Sequence, residues 1–393
     1  MEIYSSIKDP AGEIDVLVIF ANRAIVIQAK SKKLTIAARK GNDNSLRSDF
    51  KKAVQEAYDQ AYLCSTFLND INYKFIDKSG LELKVNRNFK EIYPICIVSE
   101  QYPALSFQAR QFLDFKETNT IMPPFVMNVF LLDVMTELLQ SPLYFLSYIN
   151  RRTSYGNKIH STHELTILAY HLKKNLWMDD EYSMMYFEDD IGAGLDLAML
   201  SRRDGVPGLD TPDGILTLYK GSYFDNIITD INKLEHPTIV DLGFLLLSLS
   251  GETIDSINKG INYIKKQTRE DGLNHDITLA FGSMQSGLTI HCNNDNLSKS
   301  TARLDNHCRQ RKYKQKAKSW FGICIGTLFP NIRFGTKLEY KWEQSAELDN
   351  LVKYLPNYHA SNSKPNFIKH KKIKRNEKCL CGSGKKYKNC CLE

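Results

Sequence analysis

The stretch GEIDVLVIFANRAIVIQAKSKK (12–33) constrains the fold more than any other part of the chain. Ile14 to Phe20 is an apolar, β-branched run interrupted by Asp15, and Ala24 to Ala29 is a second such run. Segments of this kind form strands, and Ala21-Asn22-Arg23 between them has the length and chemistry of a hairpin loop. Runs apolar on both faces predict strands buried in the centre of a sheet. The hairpin nevertheless carries Glu13, Asp15, Gln28 and Lys30. Burying such groups costs free energy unless they pair or coordinate a metal. Alternation puts Glu13 and Asp15 on one face of the first strand, and Gln28 and Lys30 on one face of the second. A carboxylate pair opposite an amide and an amine is a donor set for Mg²⁺ with an adjacent cation. The same residues also read as a structural cluster, with Asp15 ion-paired to Lys30.

Beyond the hairpin, residues 48–98 read as an α/β unit. Ser48 can cap a helix running to about residue 68. Phe50, Ala53, Val54, Ala57, Tyr58, Ala61 and Cys64 fall on one stripe of it, with Lys51, Lys52, Glu56 and Asp59 opposite. The apolar run IYPICIV (92–98) predicts a further strand, ending at Ser99 and Glu100. Strand, strand, helix, strand implies a sheet covered by helices.

The middle of the chain carries no strong motif. Periodicity predicts helices over 126–140 and 163–176, and another starting at Ser141-Pro142. Residues 241–250 read as a buried helix or strand, and residues 188–214, rich in Gly, Asp and Pro, as turns and a loop. His160, His163 and His171 read as surface or cap residues. In RLDNHCRQRKYKQKAKSWFG (303–322) seven cations flank Tyr313 and Trp320. That pattern suits phosphates and base stacking. It equally suits an amphipathic helix whose aromatic residues lie in the core. Residues 321–329 read as a strand.

Charge and thiols are both concentrated at the end of the chain. The formal net charge is +7, yet residues 364–393 alone hold nine lysines and one arginine against two glutamates. A basic tail tracks an anionic partner or simply keeps itself solvated. Four of the nine cysteines, Cys379, Cys381, Cys390 and Cys391, fall in this segment. Four thiolates so spaced can close a tetrahedron around Zn²⁺, with Gly382 and Gly384 permitting the turn between the pairs. A segment this short cannot bury a core, so the metal would supply its folding energy. The remaining cysteines are scattered singly. The start of the chain lacks the pattern of a signal peptide, and no apolar run is long enough to span a bilayer. The expectation is a cytoplasmic protein with no membrane partner, in which thiols stay reduced.

Two resemblances sharpen these readings. RNEKCLCGSGKKYKNCC, within about 374–392, resembles the SEC-C motif, the zinc-binding tail of the translocation ATPase SecA that also ends many other bacterial proteins. Leu380 stands where that motif usually has proline. The resemblance implies a bacterial protein, structural Zn²⁺ on Cys379, Cys381, Cys390 and Cys391, and docking to a protein or ribosome partner. The N-terminal hairpin resembles the PD-(D/E)XK nuclease superfamily in its Mrr-like, Q-x-K variety. Asp15 matches its metal-binding aspartate, and Gln28-Ala29-Lys30 matches its (E/Q)-x-K. This implies that Asp15 holds Mg²⁺ with help from the Ala29 carbonyl and that Gln28 orients the ion and its water. Lys30 would stabilise charge on the attacking water or the phosphate of a DNA substrate, and Glu13 would add a second carboxylate. Gln55 and Gln60 resemble accessory positions, while Arg39, Lys40 and Arg47 could reach phosphates. That family's domain normally opens with a helix, whereas only eleven residues precede Gly12.

The expected fold class is α/β: a restriction-endonuclease-like sheet with helices, a second, mainly helical mixed domain, and a small C-terminal zinc module. The expected divisions are a nuclease-like domain over 1–120, a mixed domain over 121–357, a basic linker over 358–375 and the zinc tail over 376–393. The expected function is metal-dependent cleavage of DNA phosphodiester bonds, recruited through the tail. The alternative is a non-catalytic, zinc-containing adaptor with a degenerate nuclease fold.

Overall fold

The computed structural model describes residues 1–5, 10–99, 105, 109, 112–178, 181–281, 285–328, 331–355, 375–376 and 386–389. Cys379, Cys381, Cys390 and Cys391, Glu100 and all of the expected linker except Arg375 lie outside the described residues. The chain is mixed α/β and forms two compact units: Met1–Lys220 with Leu234–Ser248, and Gly221–Lys233 with Leu249–Glu393.

In the first unit, β1 (Glu2–Tyr4) pairs antiparallel with β2 (Gly12–Glu13) and with β5 (Lys74–Ile76). A second sheet has the order β3-β4-β6-β7, built from Val16–Phe20, Arg23–Lys30, Glu91–Val98 and Phe125–Asn128. β3 and β4 are antiparallel, with Val16 opposite Ile27 and Phe20 opposite Arg23. β4, β6 and β7 are parallel. The turn is therefore only Ala21-Asn22, with Ala21 at φ +54, and Arg23 belongs to the strand. Arg23 is buried at 1% exposure, bonded to Glu91 at 3.0 Å and to Asp241. β4 is buried on both faces, as a central strand should be. β3 lies at the sheet edge, and Val16, Val18 and Ile19 keep more than a third of their surface exposed. Its apolar run alone could not separate edge from centre.

A short α1 (Ile36–Arg39) precedes α2 (Asp43–Phe50). A π-helical turn, Lys51–Gln55, joins α2 to α3 (Glu56–Leu68). The helical run starts at Asn42, whose side chain accepts from Ser45 N at 2.9 Å, and not at Ser48. Asn42 is the stronger signal because its cap precedes the whole run. α3 packs on β4 and β6, with Ala61 and Cys64 against Ala24, Val26 and Ile92. The small residues let helix and sheet approach closely.

The other sheet face is covered by α4 (Val129–Leu138), α5 (Pro142–Ser154) and α6 (Glu164–Lys174), through Ile25, Tyr93, Ile95 and Ile97. Ser141 caps α5 by accepting from Tyr144 N, and Pro142 occupies the first turn, where its missing N–H costs nothing. Residues 126–128, expected as helix, belong to strand β7, and Asn128 caps α4. β8 (Ile159–Ser161) pairs with β9 (Met185–Phe187). α7 (Ala193–Asp204) lies inside the stretch expected as turns, which come after it from Gly205. α8 (Tyr223–Asn232) belongs to the second unit, whereas α9 (Pro237–Leu247) belongs to the first.

His171 is also a correction. It is fully buried on α6 with its ring 4.8 Å from that of Tyr148, and neither ring nitrogen has a hydrogen-bond partner. The polarity of histidine concealed that 171 lies on the same helical face as Ile167 and Leu168.

The second unit is built around a four-stranded sheet. β10 (His275–Phe281) and β11 (Ser286–Cys292) are antiparallel, β11 and β12 (Ser319–Ile325) parallel, and β12 and β13 (Ile332–Glu339) antiparallel. α10 (Gly251–Asp271) packs on β10 and β11. α11 (Leu297–Gln315) makes the crossover between the parallel strands and covers the sheet through Leu304 and Cys308, against Trp320 and Cys324. α12 (Ala346–Val352) packs on α11 through Tyr313. Among the described residues no single helix is long and apolar enough to cross a membrane.

Candidate active site

The polar residues of the N-terminal hairpin gather where α3 faces β4. The chain bends at Ile14-Asp15 between β2 and β3. There the Asp15 Oδ2 accepts from the Ala29 N–H at 2.8 Å. Gln28, 1% exposed, donates from Nε2 to the Glu13 carbonyl at 2.5 Å. Its Oε1 is buried and has no hydrogen-bond partner. Such an atom costs about 1–3 kcal/mol unless something binds it. Lys30 donates from Nζ to Gln60 Oε1 at 3.0 Å. Gln60 Nε2 and Cys64 Sγ, both from α3, reach the same Glu13 carbonyl, each at 3.3 Å.

Gln28, Lys30, Gln60 and Cys64 thus lie within one hydrogen-bonded patch centred on the Glu13 carbonyl, while Asp15 is held at the adjacent Ala29 amide and the side chains of Asp15 and Glu13 are exposed. Asp15 and Lys30 do not pair with each other; each is held by another group. The structural reading of the hairpin as an ion pair therefore fails. Burial, reinforced by the charges of Asp15 and Glu13, pushes the Cys64 thiol up to about 11. Cys64 is consequently a protonated donor and not a nucleophile. The set offers oxygen ligands, a fixed ammonium and no activated thiol.

Gln55 takes no part. It bonds to Asp59 and to the backbone of Asp114 on another side of α3. That side borders a cleft lined by Arg47, Tyr58, Tyr62 and Phe112, which does not include Asp15, Gln28 or Lys30. Arg47 pairs with Asp43 at 2.8 Å and lies over the Phe112 ring, while Arg39 and Lys40 are exposed. Gln60 is the residue whose place in the site the sequence pattern understates. Its signal was helical spacing, since Ala57, Gln60, Ala61 and Cys64 recur at intervals of three and four.

In the basic stretch at 303–322 two of the seven cations, Arg311 and Lys312, are internal, while Arg309, Lys316 and Lys318 are exposed. Arg311 is bonded to Asp276 and Thr278. Lys312 is buried, donating to the carbonyls of Ala317 and Tyr340. Trp320 is fully buried and Tyr313 nearly so. The amphipathic reading is the one realised. In the tail, the Lys388 N–H donates to the Arg375 carbonyl at 3.0 Å, joining the two ends of the segment that carries Cys379 and Cys381.

Residues 375–393 match the SEC-C motif. No curated protein and no solved structure matches the chain.

Proposed function

We propose that the chain is a Mg²⁺-dependent phosphodiesterase acting on DNA, built at its N-terminus on the restriction-endonuclease-like plan of the PD-(D/E)XK superfamily, with a zinc-binding SEC-C tail that docks it to a protein or ribosome partner. Strand order and direction in β3-β4-β6, with α3 between the parallel strands, agree with that plan. The observation that carries the reading is the buried, unpartnered Gln28 Oε1, one residue from the Ala29 amide that holds the Asp15 carboxylate. Two hard oxygens of this kind fit Mg²⁺.

A bound ion would polarise a phosphoryl oxygen and lower the pKa of a coordinated water. The protein supplies the rest. Asp15 and Gln28 would hold the ion, and Gln28 is fixed by its bond to the Glu13 carbonyl. Lys30 places a positive charge at the same patch, oriented by Gln60, where it stabilises the charge that develops on phosphate. In the tail, Cys379, Cys381, Cys390 and Cys391 would supply the four thiolates for structural Zn²⁺.

The test is plasmid and linear-DNA cleavage with Mg²⁺ or Mn²⁺ by the folded, zinc-loaded protein. Asp15→Ala and Lys30→Ala should each lower the rate by about a hundredfold or more. Gln28→Leu, which keeps the volume and removes both polar atoms, should do likewise. If the folded wild type cuts nothing, the hairpin is a relic and the protein acts as an adaptor through its tail.

A further inference from the structure

The second unit contains a polar cluster that none of the chemistry above uses. Asp276 on β10 and His291 on β11 are register partners and share the sheet face covered by α11. His307 on α11 projects onto the same spot, with Nδ1 at 3.5 Å from Asp276 Oδ1. One donor atom from each of the three lies within 4.8 Å of the others. The His291 and His307 ring centroids are 5.2 Å apart.

His291 is wholly buried, yet neither of its ring nitrogens has a hydrogen-bond partner. Buried polar groups are normally satisfied, so this one points to a missing partner. The second oxygen of Asp276 is held by Arg311 Nη2 at 2.5 Å, and Arg311 Nε is anchored on Thr278 at 2.8 Å. Metal-ligating carboxylates are oriented in this way by hydrogen bonds from supporting residues. His307 keeps about a fifth of its side chain exposed, which gives an ion a route in.

We propose that Asp276, His291 and His307 form a binding site for a divalent transition-metal ion such as Zn²⁺. Two imidazoles and one carboxylate match the ligand chemistry of such ions, and three protein ligands leave a coordination position for water or another oxygen donor. Bonds of about 2.1 Å require donors about 3.4 Å apart in a tetrahedral site, so small side-chain rotations complete it.

The test uses the full chain with two other sites silenced: Cys390→Ser and Cys391→Ser for the tail, and Asp15→Ala for the hairpin. Metal-free protein of this background is titrated with Zn²⁺ against a chromophoric chelator, then with Co²⁺ and read by visible absorption. The expected result is one ion per chain, with Co²⁺ d–d bands but no thiolate charge-transfer band. His307→Ala, at a partly exposed position, should weaken binding by about a hundredfold or more. His291→Gln, confirmed folded by circular dichroism, should do the same. Absence of a stoichiometric ion in the folded background protein would overturn the proposal. So would an affinity unchanged by His307→Ala. In either case the cluster is a buried Asp–His–Arg network.

Discussion

At the scale of single residues, the candidate site was partly legible. Asp15, Gln28 and Lys30 stand out because polar groups interrupt apolar strands, and such interruptions need a physical reason. The sequence could not show that Lys30 is held by Gln60, because that contact depends on how α3 is rotated on the sheet. His171 escapes the sequence for a related reason: a histidine carries no sign of its burial, and only its neighbours reveal it. Its environment has a measurable consequence. Burial, with help from Arg151, lowers His171 from 6.5 to about 3. Between those pH values the unfolded chain binds the proton and the folded chain does not. Stability should therefore be full above about 6.5 and decline as the pH falls toward 3. The His171 contribution lost by pH 5 is about 2 kcal/mol. Urea midpoints at pH 7 and pH 5 register it, and His171→Phe should reduce the difference. An equally steep acid limb in His171→Phe would assign the effect elsewhere.

At the scale of elements, β4, β6, α3 and the later helices were readable from apolar period and caps. Two kinds of element were not. An edge strand and a central strand share the same composition when the edge is apolar, as Val16, Val18 and Ile19 show. Helix α7 was hidden because Gly192 precedes it, Gly194 lies within its first turn and turn residues follow from Gly205, while the helix buries only Leu195 and Ala198. The sheet of the second unit depends on two positions without side chains. A β-carbon on Gly287 would fall 2.3 Å from the buried Trp320 ring, and one on Gly322 would fall 2.5 Å from Cys308 Sγ. Gly287→Ala should therefore destabilise this unit by about 1–3 kcal/mol through overpacking, read as a lower urea midpoint. The double variant Gly287→Ala with Trp320→Leu tests the cause: no recovery relative to Trp320→Leu alone would exclude the clash.

At the scale of the whole molecule, the tail and the two units make different predictions. The SEC-C segment is too short to bury a core, so its order should come from metal. Deleting residues 375–393 should remove one zinc per chain and leave the main melting transition where it was. A shift of several degrees would mean that the tail packs on the rest. The units themselves are interleaved, because the chain leaves the first at Lys220, returns at Leu234 and leaves again at Ser248. No sequence pattern announced this. The return segment brings Asp241 to the buried Arg23 guanidinium. Arg23→Met, which removes the buried cation while Lys90 stays on Asp241 and Tyr93 on Glu91, should cost about 1–3 kcal/mol, measured by denaturant unfolding. The same pairing sets a schedule. During synthesis at about 5–20 residues per second, Arg23 emerges roughly ten to forty seconds before Asp241 does. Glu91 follows Arg23 by 68 residues, so the nascent central strand first has neither carboxylate and then only one, and the N-terminal sheet can complete its native ion-pair network only after most of the chain has been translated.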